Sequence, residues 1–233
     1  MQRISDALLV VLAGSLAGSL PRFFAGLLAV GLFVGLLVSP VVADTLSNHD
    51  CFGKDNMRRV TGCTSLLQRP GLDPVTRSTA YATRALALSL LGRYVEAIQD
   101  YDRALGIVPN YPVALNNRAW AKFKLGRVDD AVPDVERSLG LDPSSPHAHD
   151  TRAHVRQFQG RADAALADYV TAMRLGGARM VKLYQCGLQA QGLYLGPRSG
   201  IITDALESAL SECVKSKTCD PLPPDEECKA ALS

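Results

Sequence analysis

Ser78–Tyr111 reads S-T-A-Y-A-T-R-A-L-A-L-S-L-L-G-R-Y-V-E-A-I-Q-D-Y-D-R-A-L-G-I-V-P-N-Y, and the next 34 residues, Pro112–Ser145, repeat it in register as P-V-A-L-N-N-R-A-W-A-K-F-K-L-G-R-V-D-D-A-V-P-D-V-E-R-S-L-G-L-D-P-S-S. A third unit, Pro146–Arg179, follows with P-H-A-H-D-T-R-A, Q-G-R and A-L-A-D-Y-V-T-A-M-R-L-G-G in the same places. Small residues recur at that period: Ala85, Ala119 and Ala153, then Ala97, Ala131 and Ala165, then Ala104, Ser138 and Ala172. Two antiparallel helices approach closely only where the facing side chains are small. Gly92, Gly126 and Gly160 fall between the two helical patterns of each unit, where a tight turn needs backbone freedom. Pro109 and Pro143 close the second helix, and Gly177 stands in that place in the third unit.

A fixed period in this range is the mark of stacked helical hairpins. The three units resemble tetratricopeptide repeats over 78–111, 112–145 and 146–179. The resemblance implies an all-α, right-handed helical-hairpin solenoid whose curved surface binds other proteins or peptides. The spacing predicts helices at about 79–91, 94–107, 113–125, 128–140, 147–159 and 162–174. Pro133 departs from the pattern; deep inside a helix it would bend it.

The flanks read differently. Residues 7–43 carry one charge, Arg22, and Phe23–Val38 is wholly apolar before S-P-V-V-A-D. Val41 and Ala43 suit a signal peptidase, so residues 1–43 read as a signal peptide cleaved after Ala43, with an uncleaved membrane anchor as the alternative. The chain is then exported, to the periplasm or cell envelope. Cleavage leaves 23 basic and 22 acidic residues, which excludes a polyanion-binding surface; nucleic acid is not an expected partner. All six cysteines follow the apolar stretch: Cys51, Cys63, Cys186, Cys213, Cys219 and Cys228. An even count in an exported chain predicts disulfides. The pairing expected is Cys51–Cys63, Cys219–Cys228 and Cys186–Cys213, although spacing alone does not fix it.

Residues 44–77 are expected to form an extended stretch to Phe52, a capping helix from Lys54 to Gln68, and a turn-rich linker over 69–77. Residues 180–217 are expected to hold two helices, Met180–Gln191 and Thr203–Lys217, with Thr203 as N-cap. The tail, 218–233, is proline-rich and expected to be poorly ordered beyond any disulfide. Within 180–213, Gln185, Leu188, Gly192, Tyr194, Gly196, Gly200, Ala209 and Leu210 resemble the small helical peptidoglycan-binding domain of bacterial cell-wall proteins. Ser199, Thr203 and Leu206 depart from it. The segment is either a solenoid cap or a wall-binding module.

In the tetratricopeptide family the first helix of each unit lines the concave groove. That places Leu86, Asn116, Asn117, Trp120, Phe123, Asp150, His154 and Phe158 there, as a peptide-binding face anchored by the single tryptophan. Core packing is the competing role for Trp120. A carboxylate clamp is absent, since Ala82 and Leu86 stand where the family's Lys and Asn would be. Arg84, Arg118 and Arg152 recur at 34, as do Asp100, Asp134 and Asp168. Repeated together, they predict a structural ladder of Arg–Asp pairs that fixes stacking register. His147 and His154 lie two turns apart, about 10 Å, too far for one ion. No catalytic or phosphate-binding motif is present, so no enzyme activity, metal or cofactor is expected. The function expected is an exported scaffold for a protein or peptide in the bacterial envelope; the alternative is a peptidoglycan-associated module held through 180–213.

Overall fold

The computed structural model describes residues 49–222 and Cys228. The expected signal or anchor segment lies outside the described residues. No helix among the described residues is long and apolar enough to cross a membrane.

Among the described residues eight helices of ten residues or more follow one another: α1 (Asn56–Leu67), α2 (Pro74–Leu90), α3 (Tyr94–Ile107), α4 (Pro112–Lys124), α5 (Val128–Leu141), α6 (Pro146–Phe158), α7 (Ala162–Ala190) and α8 (Asp204–Cys213). The pairs α2/α3, α4/α5 and α6/α7 are the three hairpins. Each hairpin turn is closed the same way. Gly92, Gly126 and Gly160 take φ of 75°, 77° and 76°. The glycine N–H returns to the carbonyl three residues back, and the following arginine N–H to the carbonyl five back, as in Gly126→Phe123 at 2.8 Å and Arg127→Lys122 at 2.9 Å. A Cβ in that left-handed conformation costs energy, which is why glycine recurs there.

Three expectations about boundaries need correction. The 69–77 linker is partly helix: Asp73 caps α2 by accepting the Thr76 N–H at 2.9 Å, and Pro74 occupies the first turn, so α2 starts five residues early. His49–Cys51 is helical rather than extended. The last helix ends at Cys213, short of Lys217. Thr203 does cap it, accepting from the Leu206 N–H. Pro133 lies inside α5, and the helix runs through it.

At Gly177 (φ 65°, ψ −165°) α7 leaves helical geometry, so 162–176 ends the third hairpin and 178–190 begins a fourth with α8. Tyr169, Met173, Tyr184, Leu188, Leu206 and Leu210 are buried together, joining the third hairpin to the C-terminal pair in one core. Further along, Tyr101, Leu105 and Leu115 fill the space between the first and second units, and Val135, Leu139 and Val155 between the second and third. Burial of one such aliphatic side chain is worth about 1.5–3 kcal/mol.

The cysteine sulfurs meet in three pairs at bonding distance: Cys51 with Cys63, Cys186 with Cys228, and Cys213 with Cys219. The expected Cys219–Cys228 and Cys186–Cys213 pairs are not formed. A turn after α8 folds Cys219 back onto the end of its own helix, which leaves Cys186, on α7, for Cys228.

Candidate binding groove

The first helices of the hairpins, α2, α4 and α6, present one continuous face. Leu86 and Leu90 from α2, Val113, Asn116 and Asn117 from α4, and His147 from α6 enclose a recess of about 430 Å³. A second recess of about 200 Å³ adjoins it, sharing Asn116, Asn117 and His147 and adding Trp120, Asp150 and Thr151. Asn116 is 6% exposed, and its Oδ1 has no hydrogen-bond partner. Its Nδ2 donates to Asn117 Oδ1 at 3.3 Å. A buried amide end left unpaired costs about 1–3 kcal/mol.

Beyond Asn117 the face becomes aromatic. Trp120 stacks on Phe123 with centroids 5.4 Å apart, and Phe123 meets Phe158 edge-on at 6.2 Å. The His154 ring packs edge-on against Trp120 at 5.1 Å and against Tyr169 at 5.1 Å. Trp120 and Phe123 are half-buried and Phe158 is exposed. The eight expected groove residues therefore fall in one region, but they do not form one open surface. Asp150 and His154 are buried, because the chain after α8 lies over them. Of the expected tail, Pro221 is buried and Leu222 packs against the core, while 223–227 and 229–233 lie outside the described residues.

The chemistry under this cover is specific. His154 Nδ1 faces the Asp150 carbonyl oxygen at 2.9 Å, and Nε2 faces Asp220 Oδ1 at 3.1 Å. Both neighbours only accept, so both ring nitrogens carry protons and the ring is an imidazolium. Burial alone pushes the His154 pKa down; the Asp150 carboxylate and the Asp220 hydrogen bond outweigh it and leave it raised. Burial pushes Asp220 up, and the His154 hydrogen bond and charge bring it below the usual carboxylate range. Asp150 stays raised, chiefly by burial, and accepts the Tyr184 hydroxyl proton. The first-helix face of the third unit also carries Gln157; sequence reasoning misses Tyr169 and Asp220, whose roles depend on contacts across many positions.

On the flank of the groove helices runs the charge ladder. Arg84 forks onto Asp100 at 2.6 and 2.9 Å, Arg118 onto Asp134 at 2.8 and 2.6 Å, and Arg152 onto Asp168 at 2.9 and 2.7 Å. Each pair joins the two helices of one hairpin. The third guanidinium nitrogen reaches backwards along the stack. Arg118 donates to Asp102 at 2.6 Å and Arg152 to Glu136 at 2.9 Å, both on the preceding unit; Arg84 donates to the Thr64 hydroxyl of α1 at 2.9 Å. Asp102 and Glu136 are also 34 apart. That second rung was legible in the period and is absent from the expectation because the residue type changes.

In 180–213, Gln185 is fully buried, and its amide holds the loop before α8. It donates to Ser199 Oγ at 3.2 Å and the Ile201 carbonyl at 3.1 Å, and accepts the Gly200 N–H at 2.9 Å. Gln189 donates to the Gly196 carbonyl at 2.6 Å. These side chains are spent on shaping the chain's own cap. Among the described residues, no three His, Cys, Asp or Glu side chains gather as a metal site.

Comparisons with known proteins follow this geometry. The tetratricopeptide repeat family matches residues 78–111 and 112–145. No curated protein matches the chain. Among solved structures, MamA 41-end from Desulfovibrio magneticus RS-1 is 16% identical, with a TM-score of 0.52 over 65% of this chain and 84% of that one. The MamA RS-1 ArsTM double mutant is 14% identical, with a TM-score of 0.53 over 82% and 94%. The first tetratricopeptide-repeat domain of Spaghetti (RPAP3), solved with the HSP90 peptide SRMEEVD, is 25% identical over 46% and 84%, with a TM-score of 0.42. Residues 78–145 are thus two tetratricopeptide repeats, and the chain has the helical-hairpin solenoid fold of that architecture.

Proposed function

We propose that this protein is an exported, non-catalytic scaffold of the bacterial envelope that holds an extended protein segment in the open half of its groove, between α2, α4 and the start of α6. The observation that carries this reading is the open recess of about 430 Å³ in which the Asn116–Asn117 amide pair meets an apolar wall of Leu86, Leu90 and Val113. An extended peptide supplies what that recess lacks: backbone polar groups for the partly exposed Asn117 amide and an aliphatic side chain for the wall. The fold supports the same reading, since stacked hairpins of this kind build extended concave binding surfaces.

Export is supported by the leader-like sequence of 1–43 and by the three cysteine pairs, taken as disulfides of an oxidising compartment. Intact-mass analysis of the protein from its native host is expected to show a chain beginning at Asp44 with no free thiol. A full-length chain carrying six thiols would overturn export.

Binding is tested with peptides selected from a display library on the immobilised protein. The single tryptophan, Trp120, sits at the groove and reports occupancy by its fluorescence. Asn116→Ala and Leu86→Asp are expected to weaken the selected peptides at least ~10-fold, about 1.4 kcal/mol, with circular dichroism unchanged. Undiminished affinity in both folded variants rules the groove out.

A further inference from the structure

The closed half of the groove is occupied by the protein's own chain, and the manner of its occupation is that of a bound ligand. Gln157 reaches from α6 to three backbone carbonyls of the disulfide-closed turn at the end of α8, Cys213 at 3.3 Å, Ser216 at 2.6 Å and Cys219 at 2.8 Å, and so fixes where the crossing segment begins. The Tyr169 hydroxyl donates to Gln157 Oε1 at 2.7 Å, which turns the Gln157 amino group toward the segment. Gln191 pairs with the backbone of Asp220, donating to its carbonyl and accepting its N–H. Asp220 places its carboxylate on the His154 imidazolium at 3.1 Å. Leu222 packs against the core and forms one wall of a recess it shares with Pro146, His147, Met180 and Leu183, and its other side borders the open half at Asn116 and Trp120. Lys217 lies over the Phe158 ring at 4.9 Å.

Main-chain recognition by Gln191, one acidic side chain on a buried cation, and one aliphatic side chain against an apolar wall are the parts of a peptide-recognition mode. Such contacts depend on the backbone and on two side chains, so a different chain with the same two side chains can make them.

We infer that Asp220–Leu222, the part of the crossing segment beyond the Cys213–Cys219 disulfide, is an intramolecular ligand, which competes for the third-unit half of the groove with an external extended segment bearing an acidic residue two positions before a leucine. The inference rests on the reading of this face as the binding groove and specifies its partner. The tether makes the internal ligand strong: a segment held by a short linker acts at an effective concentration in the ~mM range. An external segment gains the site by continuing into the open half, where the internal one stops.

The test uses the full oxidised protein and a labelled peptide of residues 220–222 flanked by glycines. The native protein is compared with Asp220→Arg/Leu222→Ser, which removes the internal side chains and leaves the groove and all cysteines untouched. Fluorescence anisotropy is expected to show the peptide binding the double variant at least 20-fold tighter than the native protein. Adding His154→Ala to the double variant is expected to abolish the gain. Equal, weak binding to the folded native and double-variant proteins overturns the inference and makes the segment a fixed cap. Should the variant not fold, hydrogen exchange on the native protein decides: the Asp220 and Leu222 amides are expected to exchange at least 20-fold faster than those of Tyr169 and Leu188. Exchange as slow as that core overturns the inference. Selected peptides that still depend on Asn116 while the Asp220–Leu222 peptide fails would leave the groove reading standing and remove only this one.

Discussion

At the scale of single residues, His154 is the most informative side chain. It is buried, doubly hydrogen-bonded to acceptors, and 5.1 Å from the only tryptophan. A protonated imidazole quenches a neighbouring indole, so Trp120 emission reports the His154 charge. Emission is expected to rise with pH, with a midpoint above the ordinary histidine value of about 6.5, and Asp220→Asn is expected to move that midpoint down. A native midpoint at or below the ordinary value would contradict the imidazolium assignment. His154, raised in the fold, contributes fully below the unfolded value and loses its contribution as pH rises through the folded one. Asp220, depressed in the fold, contributes above the ordinary carboxylate range and loses it as pH falls through its lowered value. The docked segment is therefore held most firmly in mildly acidic solution. Raised Asp150 acts in the same direction as His154, losing its contribution as pH rises through its folded value. Sequence places Trp120, Phe123, His154 and Phe158 near one another because they share a helix face at successive repeats. It does not reveal that His154 is covered, since the partner that covers it lies 66 residues away.

At the scale of elements, turn glycines and helix starts decide what is readable. The hairpin turns are legible because a single residue type meets a positive φ three times over. The start of α2 is less so: Asp73-Pro74 serves both as a turn and as a cap followed by a first-turn proline, and only the observed Thr76 contact separates the two. The segment after α8 is least legible. Its proline content suggests an unstructured tail, yet it is positioned by Gln157 and Gln191, residues with no special local pattern. Pro133 offers a prediction at this scale. It is exposed, lies in the sixth position of α5, and cannot donate the helical hydrogen bond expected there. Pro133→Ala is expected to stabilise the fold by about 1–3 kcal/mol, read from the urea unfolding midpoint. A lower midpoint would show that the proline is required by the packing of the second hairpin.

At the scale of the whole molecule, stability in a solenoid is carried by interfaces between neighbouring units. The ladder is placed to couple them. Each arginine binds its own hairpin through one face and the preceding unit through the other, so Arg118 connects Asp134 with Asp102. Removing one partner of a buried ion pair leaves the other uncompensated, since Asp134 is buried. Lys122, 2.7 Å from Asp134, retains part of the compensation. Arg118→Ala is expected to cost about 3 kcal/mol in thermal unfolding, and a loss under about 1 kcal/mol would place the ladder among ordinary surface pairs. The period of the sequence makes the pairs legible; their backward contacts emerge only when the units are stacked.

On the proposed function, the open face of α2, α4 and α6 holds an extended segment, and site-specific photo-crosslinking reads that contact. A benzophenone side chain at Leu86, on the groove, is compared with one at Arg137, exposed on α5. Each is irradiated with the peptides selected on the native protein. The account predicts crosslinks from position 86, suppressed by Asn116→Ala, and none from 137. Crosslinking from 137 with none from 86 would place the binding surface elsewhere and contradict it.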